Sequence, residues 1–336
     1  MTDTPESERF FYHSFPRRGR ADPAEIQKGL AILELIQSFG LLLTPEITAW
    51  AHPHANGAPP RQMRIVQRRA CFTELSVRSL PKHAEEFGHF ALEFEIDTLK
   101  RLGALPVFYI PKWGEEGSAN SLGQTLVVQA IDAMCVIDRI ARVKGFIEST
   151  ATSGSRQNFE FGFDARKMFS LDISETQRAI EGVTYGVTPP EMLSLALEGM
   201  LNFFYPADAD DTKINSSLKH YRQREWRIAG NIGMQGRDLM APPSEPLIEK
   251  LLALDLDFYR RPFPPEGVAP SNPSLARRSF GPRLVDWTYV YQGIDDRHIV
   301  GAARRVIVPR AAVDATKVVL SNHPKPPPVI AIEDLI

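Results

Sequence analysis

At 336 residues, with 39 Lys and Arg against 41 Asp and Glu, the chain is long enough to bury a substantial core and carries no net field that would draw it to nucleic acid or an anionic membrane. Its two cysteines, Cys71 and Cys135, fit no metal-ligand spacing and no disulfide framework, so both read as reduced and buried. The polar start lacks the apolar core of a secretory signal and no apolar run reaches membrane-spanning length, which leads us to expect a cytoplasmic protein with no membrane partner.

In chain order, Phe10–Phe15 predicts a short strand, and a basic turn at Arg17-Arg18-Gly19-Arg20 follows. Asp22 opens a helix as N-cap, with Pro23 at the first helical position and Gly40 placed to end it; Ile26, Leu30, Leu33 and Leu41 lie along one side. After a Pro-, His- and Gly-rich loop at 52–60, residues Met63–Val66 and Cys71–Glu74 predict a strand. His52 and His54 on that loop have no third ligand nearby, so they read as loop residues and not a metal site. A short helix at Pro81–Phe87, closed by Gly88, leads to His89–Ile96. There Phe90, Leu92, Phe94 and Ile96 alternate with Ala91, Glu93 and Glu95. Leu105–Ile110 predicts another strand, with Pro106 marking an edge.

The longest helical pattern runs from Asn120 to about Ser149. Its stripe of Leu122, Leu126, Ile131, Met134, Ile137, Ile140 and Phe146 is expected to be core. Ser174 and Thr188 read as further helix caps. The second helix, through Leu193, Leu197, Met200, Leu201 and Phe204, ends in the acidic turn Asp208–Asp211, which lacks the features of a Ca²⁺ loop. His220–Gly230 predicts a strand. Trp226 and Ile228 turn one face inward, and Tyr221, Gln223, Glu225 and Arg227 share the other. Ser244 caps a helix through Leu256, and Leu284–Tyr291, Arg305–Val308 and Ala311–Leu320 predict strand, strand and helix.

The irregular alternation of strands and helices predicts an α+β fold, a mixed and largely antiparallel sheet with helical insertions. Its expected organisation is a core over 1–259 carrying a helical insertion at about 115–211. A Pro- and Arg-rich exposed loop at 260–283 follows, and strands and a helix over 284–336 complete the same domain. The chain lacks a Gly-x-x-x-x-Gly-Lys-Ser/Thr loop, a Gly-x-Gly-x-x-Gly turn, a Gly-x-Ser-x-Gly elbow and a His-Glu-x-x-His helix. Those absences count against phosphate-loop nucleotidases, classical dehydrogenases, α/β-hydrolases and zincins. Glu93 and Glu95 share a face, but no Glu-x-Lys completes a restriction-type nuclease set. Nucleic-acid binding rests on the scattered pairs Arg17-Arg18, Arg68-Arg69, Arg260-Arg261, Arg277-Arg278 and Arg304-Arg305, which a solvated surface also gives.

Several elements together carry a resemblance: Phe39-Gly40-Leu41-Leu42, Ala70-Cys71-Phe72-Thr73-Glu74-Leu75-Ser76, Phe87-Gly88-His89-Phe90-Ala91-Leu92-Glu93-Phe94, Pro106-Val107-Phe108-Tyr109-Ile110, Arg224-Glu225-Trp226-Arg227-Ile228 and Val306-Ile307-Val308-Pro309. Their order resembles the AbiGi-type abortive-infection proteins of prokaryotic phage defence and neighbouring families that share the Cys-Phe-Thr/Ser and Glu-Trp-Arg elements. The resemblance spans roughly residues 13–309. It implies a cytosolic component of a toxin–antitoxin-type defence module, with a protein partner from the same operon.

A second resemblance, to the ADP-ribosyltransferase fold, rests on an early strand-borne His, a central strand with Phe-Thr, and a late strand-borne Glu. It implies NAD as cofactor; the residues themselves imply no cofactor. By this analogy His13 grips the ribose, Thr73 flanks the pocket, Tyr109 stacks on the ring and Glu225 is the catalytic carboxylate, with Gln223 at the offset of a supporting residue and Arg227 beside it. An arginine-paired Glu225 in a structural ion cluster is the competing reading of the same residues.

Overall fold

The structure is a computed structural model that describes residues 9–16, 23–52, 61–110, 122–151, 158–160, 168–170, 190–206, 224–230, 233–234, 237–238, 240–272, 275, 280–294 and 297–335. The chain begins with β1 (Arg9–Phe15), α1 (Pro23–Phe39), β2 (Leu41–Leu43), β3 (Pro45–His52) and the 16-residue β4 (Arg61–Ser76). It continues through α2 (Leu80–Phe87), β5 (Phe90–Phe94), α3 (Ile96–Arg101), β6 (Leu105–Pro106) and β7 (Phe108–Ile110). The middle of the chain carries α4 (Leu122–Ala151), the hairpin strands β8 (Asn158–Glu160) and β9 (Met168–Ser170), α5 (Pro190–Leu201) and β10 (Phe204–Pro206). Next come β11 (Glu225–Ala229), the short pair β12 (Gly233–Met234) and β13 (Arg237–Asp238), β14 (Met240–Ala241), α6 (Glu245–Leu254) and α7 (Leu256–Arg260). The last third adds β15 (Tyr289–Tyr291), the pair β16 (Gly293–Ile294) and β17 (Arg297–His298), α8 (Ile299–Ala302), β18 (Arg305–Val308), α9 (Val313–Leu320) and β19 (Val329–Ala331).

The fold is α+β. An eight-stranded sheet runs in the order β19-β18-β5-β1-β4-β11-β6, with β3 joined to β4, and every pairing is antiparallel except β18 with β19. The long β4 is its spine. Its first half pairs with β3, and its second half lies between β1 and β11. Because side chains alternate along each strand, the register sorts the sheet into two faces. One carries Phe11, Phe15, Phe72, Phe90, Leu92, Phe94 and Val306, and α1 covers it through Leu33 and Ile36. That layer is two helices deep, since Leu35 on the outer side of α1 packs against Leu247 and Leu251 of α6. The opposite face is covered at one end by α4, through Val127, Val128, Ile131 and Met134 against Trp50, Met63 and Ile65. At the other end Leu80 and Ala84 of α2, with Ile332, cover Phe10, Tyr12, Ala91 and Ile307.

Two glycines set the approach of α1 to the sheet. Gly40 ends the helix with φ of 109° while its N–H donates to the Ile36 carbonyl at 2.8 Å, a conformation that favours glycine. Gly29 faces the Phe90 ring so closely that a Cβ there would lie 2.3 Å from a ring carbon.

The edge of β4 that faces away from β3, beyond the end of β11, is closed by side chains instead of a strand. Asn272 Oδ1 accepts from Val66 N at 2.7 Å and its Nδ2 donates to Val66 O at 3.2 Å, so one amide mimics a neighbouring peptide. Two residues further on, Asn202 Oδ1 accepts from Arg68 N at 3.2 Å. An exposed edge would template pairing with another chain; these amides satisfy it.

Several expectations need correction. Of the strand expected at 220–230, residues 220–223 lie outside the described residues and β11 covers Glu225–Ala229; it has two covered faces, because Arg227 opposite the Trp226 and Ile228 side is itself buried. Ile96 starts α3 instead of ending a strand, and Leu41 belongs to β2 and not to the preceding helix. Leu284–Trp287 is a 3-10 turn and only Tyr289–Tyr291 is strand, while the helix after Ser244 breaks at Asp255, whose carboxylate caps α7 by accepting from Phe258 N at 3.1 Å. Within 260–283, Arg260, Arg261, Pro265 and Glu266 are exposed, yet Phe263, Asn272 and Leu275 are buried anchors, so this segment is pinned to the sheet. The expected caps at Asp22, Ser174 and Thr188, the acidic turn 208–211, the loop at 53–60, the Arg17-Arg18 turn and the Arg277-Arg278 pair lie outside the described residues. No helix among the described residues is long and apolar enough to cross a membrane.

Candidate functional site

Glu225 is the natural centre of any site. The antiparallel pairing of β11 with β4 places Glu225 opposite Thr73, Trp226 opposite Phe72 and Arg227 opposite Cys71. Glu225, Arg227, Cys71, Thr73 and Arg69 therefore share one face, while Trp226 and Phe72 join the aromatic core on the other. Tyr109 arrives because β6 pairs along β11 and Val107 N donates to Glu225 O at 2.9 Å, which leads the chain straight into β7.

Both carboxylate oxygens of Glu225 are engaged. Tyr109 donates its hydroxyl to Oε2 at 2.6 Å and Arg227 donates Nε–H to Oε1 at 2.8 Å. Arg227, with a side chain 1% exposed, also donates Nη1–H to the Asn202 carbonyl at 2.8 Å. Arg69 lies beside it, donating to Gln67 and ion-paired to Glu46. The Arg69 and Arg227 guanidinium carbons each stand 5.0 Å from the centre of the Tyr205 ring, a cation–π arrangement of two cations on one aromatic. Gln67 completes the wall by donating to the Leu201 and Phe204 carbonyls at 2.7 and 2.9 Å, which ties the end of α5 to β4.

The electrostatics follow from this packing. Burial alone would raise the Glu225 pKa, but the Arg227 guanidinium, its hydrogen bond and the Arg69 charge outweigh burial and hold it down at about 2. Burial, then the Glu225 carboxylate, push the Tyr109 hydroxyl far above its ordinary range. For Arg69 burial opposes the charge, but Glu46, with smaller contributions from Cys71, Glu225 and Tyr205, keeps the guanidinium's pKa above normal. A carboxylate so held is ionised throughout the neutral range. It can hold a fixed charge but not exchange a proton near pH 7.

A second buried carboxylate sits on the same face. Glu93, fully buried on β5, is opposite Tyr12 on one side and Arg305 on the other. It pairs with Arg305 Nε at 2.6 Å and Arg304 Nη1 at 2.9 Å. The registers chain together: Glu225, Thr73, Tyr12, Glu93 and Arg305 form one transverse row across five adjacent strands. At ~4.8 Å per strand the row is roughly 19 Å long, with a buried ion cluster near each end.

The expected site residues divide accordingly. Tyr109, Thr73, Glu225 and Arg227 come together. His13 does not join them: its ring packs 5.5 Å from Phe72 and 6.0 Å from Phe15, on the aromatic face, and its Nδ1 lies 2.9 Å from the Cys71 carbonyl oxygen. Gln223 lies outside the described residues. Arg69, Gln67, Glu46 and Tyr205 were not expected. The signal for two of these neighbours was present, since Gln67 and Arg69 stand at strand spacing from Cys71 and Thr73, between the apolar Val66, Ala70 and Phe72. Arg68, on the alternate face, is enclosed by Tyr289, Phe280 and Trp287 at 4.3, 5.0 and 5.8 Å. Of the expected arginine pairs, Arg68-Arg69 is thus buried and Arg304-Arg305 is committed to Glu93, which leaves Arg260-Arg261 as the exposed doublet among those described. Among the described residues no three His, Cys, Asp or Glu side chains gather as a metal set would. The chain was compared with protein-family models, with curated proteins and with solved structures, and it matches none.

Proposed function

We propose that this chain is a protein-interaction component of a prokaryotic phage-defence module of the abortive-infection, toxin–antitoxin type, acting in the cytoplasm. The order of the Cys-Phe-Thr and Glu-Trp-Arg elements motivates the module. One observation carries the choice of interaction over catalysis. Glu225, the carboxylate best placed for chemistry, has a side chain only 11% exposed and spends both oxygens on its own fold. The partner surface in this reading is the segment 260–283, where exposed Arg260, Arg261, Pro262 and Pro265 are presented on a base pinned by Phe263, Asn272 and Leu275. A pinned loop loses little entropy on binding, which favours recognition. The test is co-expression of the tagged chain with the products of its adjacent genes. A neighbour should co-purify, and Arg260→Glu with Arg261→Glu should release it. Absence of any co-purifying neighbour, together with unchanged toxicity of that neighbour in cells lacking the chain, would overturn the reading.

A second reading, an NAD-consuming enzyme of the ADP-ribosyltransferase kind, is favoured by the permanently ionised Glu225 with Tyr109 at 2.6 Å, since a fixed negative charge is what an oxocarbenium-like transition state requires. Release of nicotinamide from NAD, abolished in Glu225→Gln, would establish it in place of the first.

A further inference from the structure

We infer that the outer edge of β3 is where two copies of the chain meet, β3 of one copy pairing antiparallel with β3 of the other about a two-fold axis at Ala49. This inference does not depend on the defence reading. The sheet protects its other edges. β6 is two residues long and carries Pro106, β19 is three residues long and follows Lys325-Pro326-Pro327-Pro328, and the side of β4 away from β3 is sealed by Ser271, Asn272 and Asn202. β3 has none of these devices. It runs for eight residues in unbroken one-to-one register with β4, with no bulge, no lysine and no proline after its first position. Its outer main chain can be read from the ladder. Because Arg64 and Val66 spend their N–H and C=O groups on Ser271 and Asn272, away from β3, it is Arg61, Met63, Ile65 and Gln67 that bond to His52, Trp50, Thr48 and Glu46. Ile47, Ala49 and Ala51 therefore direct their N–H and C=O groups outward. Among the described residues nothing hydrogen-bonds to these groups, and Ala49 is exposed.

Backbone chemistry selects the occupant. A row of donors and acceptors at strand spacing is matched by another extended main chain. Which main chain follows from where the donors stop. Prolines stand in the sequence at 45 and 53, four residues to either side of Ala49, so the run of N–H groups is symmetrical about that residue. A second β3 laid antiparallel with Ala49 facing Ala49 sets Ile47 of each copy against Ala51 of the other, and every one of these pairs can complete both of its ladder bonds. Sliding the register either way brings one of the two prolines opposite a carbonyl that needs a donor. The edge is thus complementary to itself in one frame. At the axis the side chain is a methyl group, which lets the two strands approach to ladder distance, and the sheets of the two copies run on as one.

Sedimentation equilibrium over about 1 to 100 µM protein tests this. The expected result is a shift from the 37.7 kDa monomer to twice that mass, with hydrogen exchange at the Ile47, Ala49 and Ala51 amides slowing as the dimer forms. Ala49→Pro should keep the chain monomeric, because it removes the donor on the axis, and an edge strand tolerates proline where the N–H faces solvent. Ala49→Lys and Ala49→Glu should each weaken association about fivefold, since like charges then face each other across the axis. Mixed in equal amounts, these two variants should form a heterodimer, an outcome that requires residue 49 of one copy to meet residue 49 of the other. Far-UV dichroism and thermal melts of each variant confirm that it folds, as Ala49 is exposed. A chain that stays monomeric throughout the range, a dimer indifferent to Ala49→Pro, or a mixture of the two charged variants no better associated than its parts would each overturn the inference. So would a monomer whose β3 amides are protected instead by an unrelated extended peptide.

Discussion

Glu225 and His13 flank adjacent positions of the same strand, yet their side chains lie on opposite faces of the sheet. Glu225 is opposite Thr73 on β4, whereas His13 packs on the ring of Phe72, the very next residue. A strand inverts its side chains at every residue, so a one-residue difference in register is enough to put an apolar layer between two polar groups. Any chemistry at Glu225 has to recruit its partners from its own face, where Tyr109, Arg227, Cys71 and Arg69 already stand.

Acid should expose the worth of that cluster. The folded Glu225 pKa of about 2 lies below its ordinary 4.5, so the stabilisation is complete above about pH 4.5 and is lost as pH falls towards 2. The loss is of order 3 kcal/mol by linkage. Unfolding free energies measured across this window should fall less steeply in Glu225→Gln, which has no carboxylate to protonate. At pH 7 that variant should be less stable by about 3 to 5 kcal/mol, because Arg227 is left buried without a counter-charge. Equal acid slopes in the two proteins would refute the role given to the pair.

Tyr109→Phe isolates one bond of the same site. Removing a hydroxyl donated to a charged acceptor should cost about 1.5 to 3 kcal/mol in denaturant unfolding, with the acid transition moved to higher pH.

Asn272 is expected to matter out of proportion to its position in a Pro-rich loop. Asn272→Ala strips partners from both the N–H and the C=O of Val66, each a buried backbone group worth about 1 to 3 kcal/mol when orphaned. Hydrogen exchange at the Val66 amide should accelerate more than at Phe72, whose neighbours on β4 are strands. Asn272→Asp should be no rescue at neutral pH, since it sets a carboxylate against Glu198, to which the native amide donates at 3.2 Å.

Two glycine substitutions should move stability in opposite directions. Gly29→Ala forces a methyl against the Phe90 ring and should cost about 1 to 3 kcal/mol by overpacking. Gly145→Ala, in α4 with nothing within 4 Å of the added carbon, should gain about 0.5 to 1 kcal/mol from helix propensity. Thermal denaturation of the two variants side by side decides this.

Local chemistry made much of the fold legible. Pro23 and Gly40 frame α1, Gly88 closes α2, and Pro106 sits on an edge strand as its missing N–H requires. Burial was harder to read, because a polar residue on a strand announces a surface only when nothing packs over it. Glu93 and Arg227 are buried since other elements bring them counter-charges or polar partners from distant parts of the chain, and the alternation at 89–96 cannot show that arginines more than 200 residues away will arrive. Met192 and Met200 fail in the reverse direction: the buried side of α5 is polar because it must satisfy Asn272 and the edge of β4. The convergence of Tyr109 on Glu225 depends on β6 pairing with β11, a contact between short elements whose own residues give no hint of it.

The separation between Glu93 and Arg304, 211 residues, has a consequence for biosynthesis. A ribosome adding ~5 to 20 residues per second makes the carboxylate roughly 10 to 40 s before either of its cations exists. Until then β5 lacks its β18 neighbour and Glu93 lacks both arginines, so this side of the sheet is not expected to close before the last strands are made. Chaperones that shield emerging polypeptide would be needed most in this window, and a translation stall anywhere before Arg304 should leave an aggregation-prone intermediate.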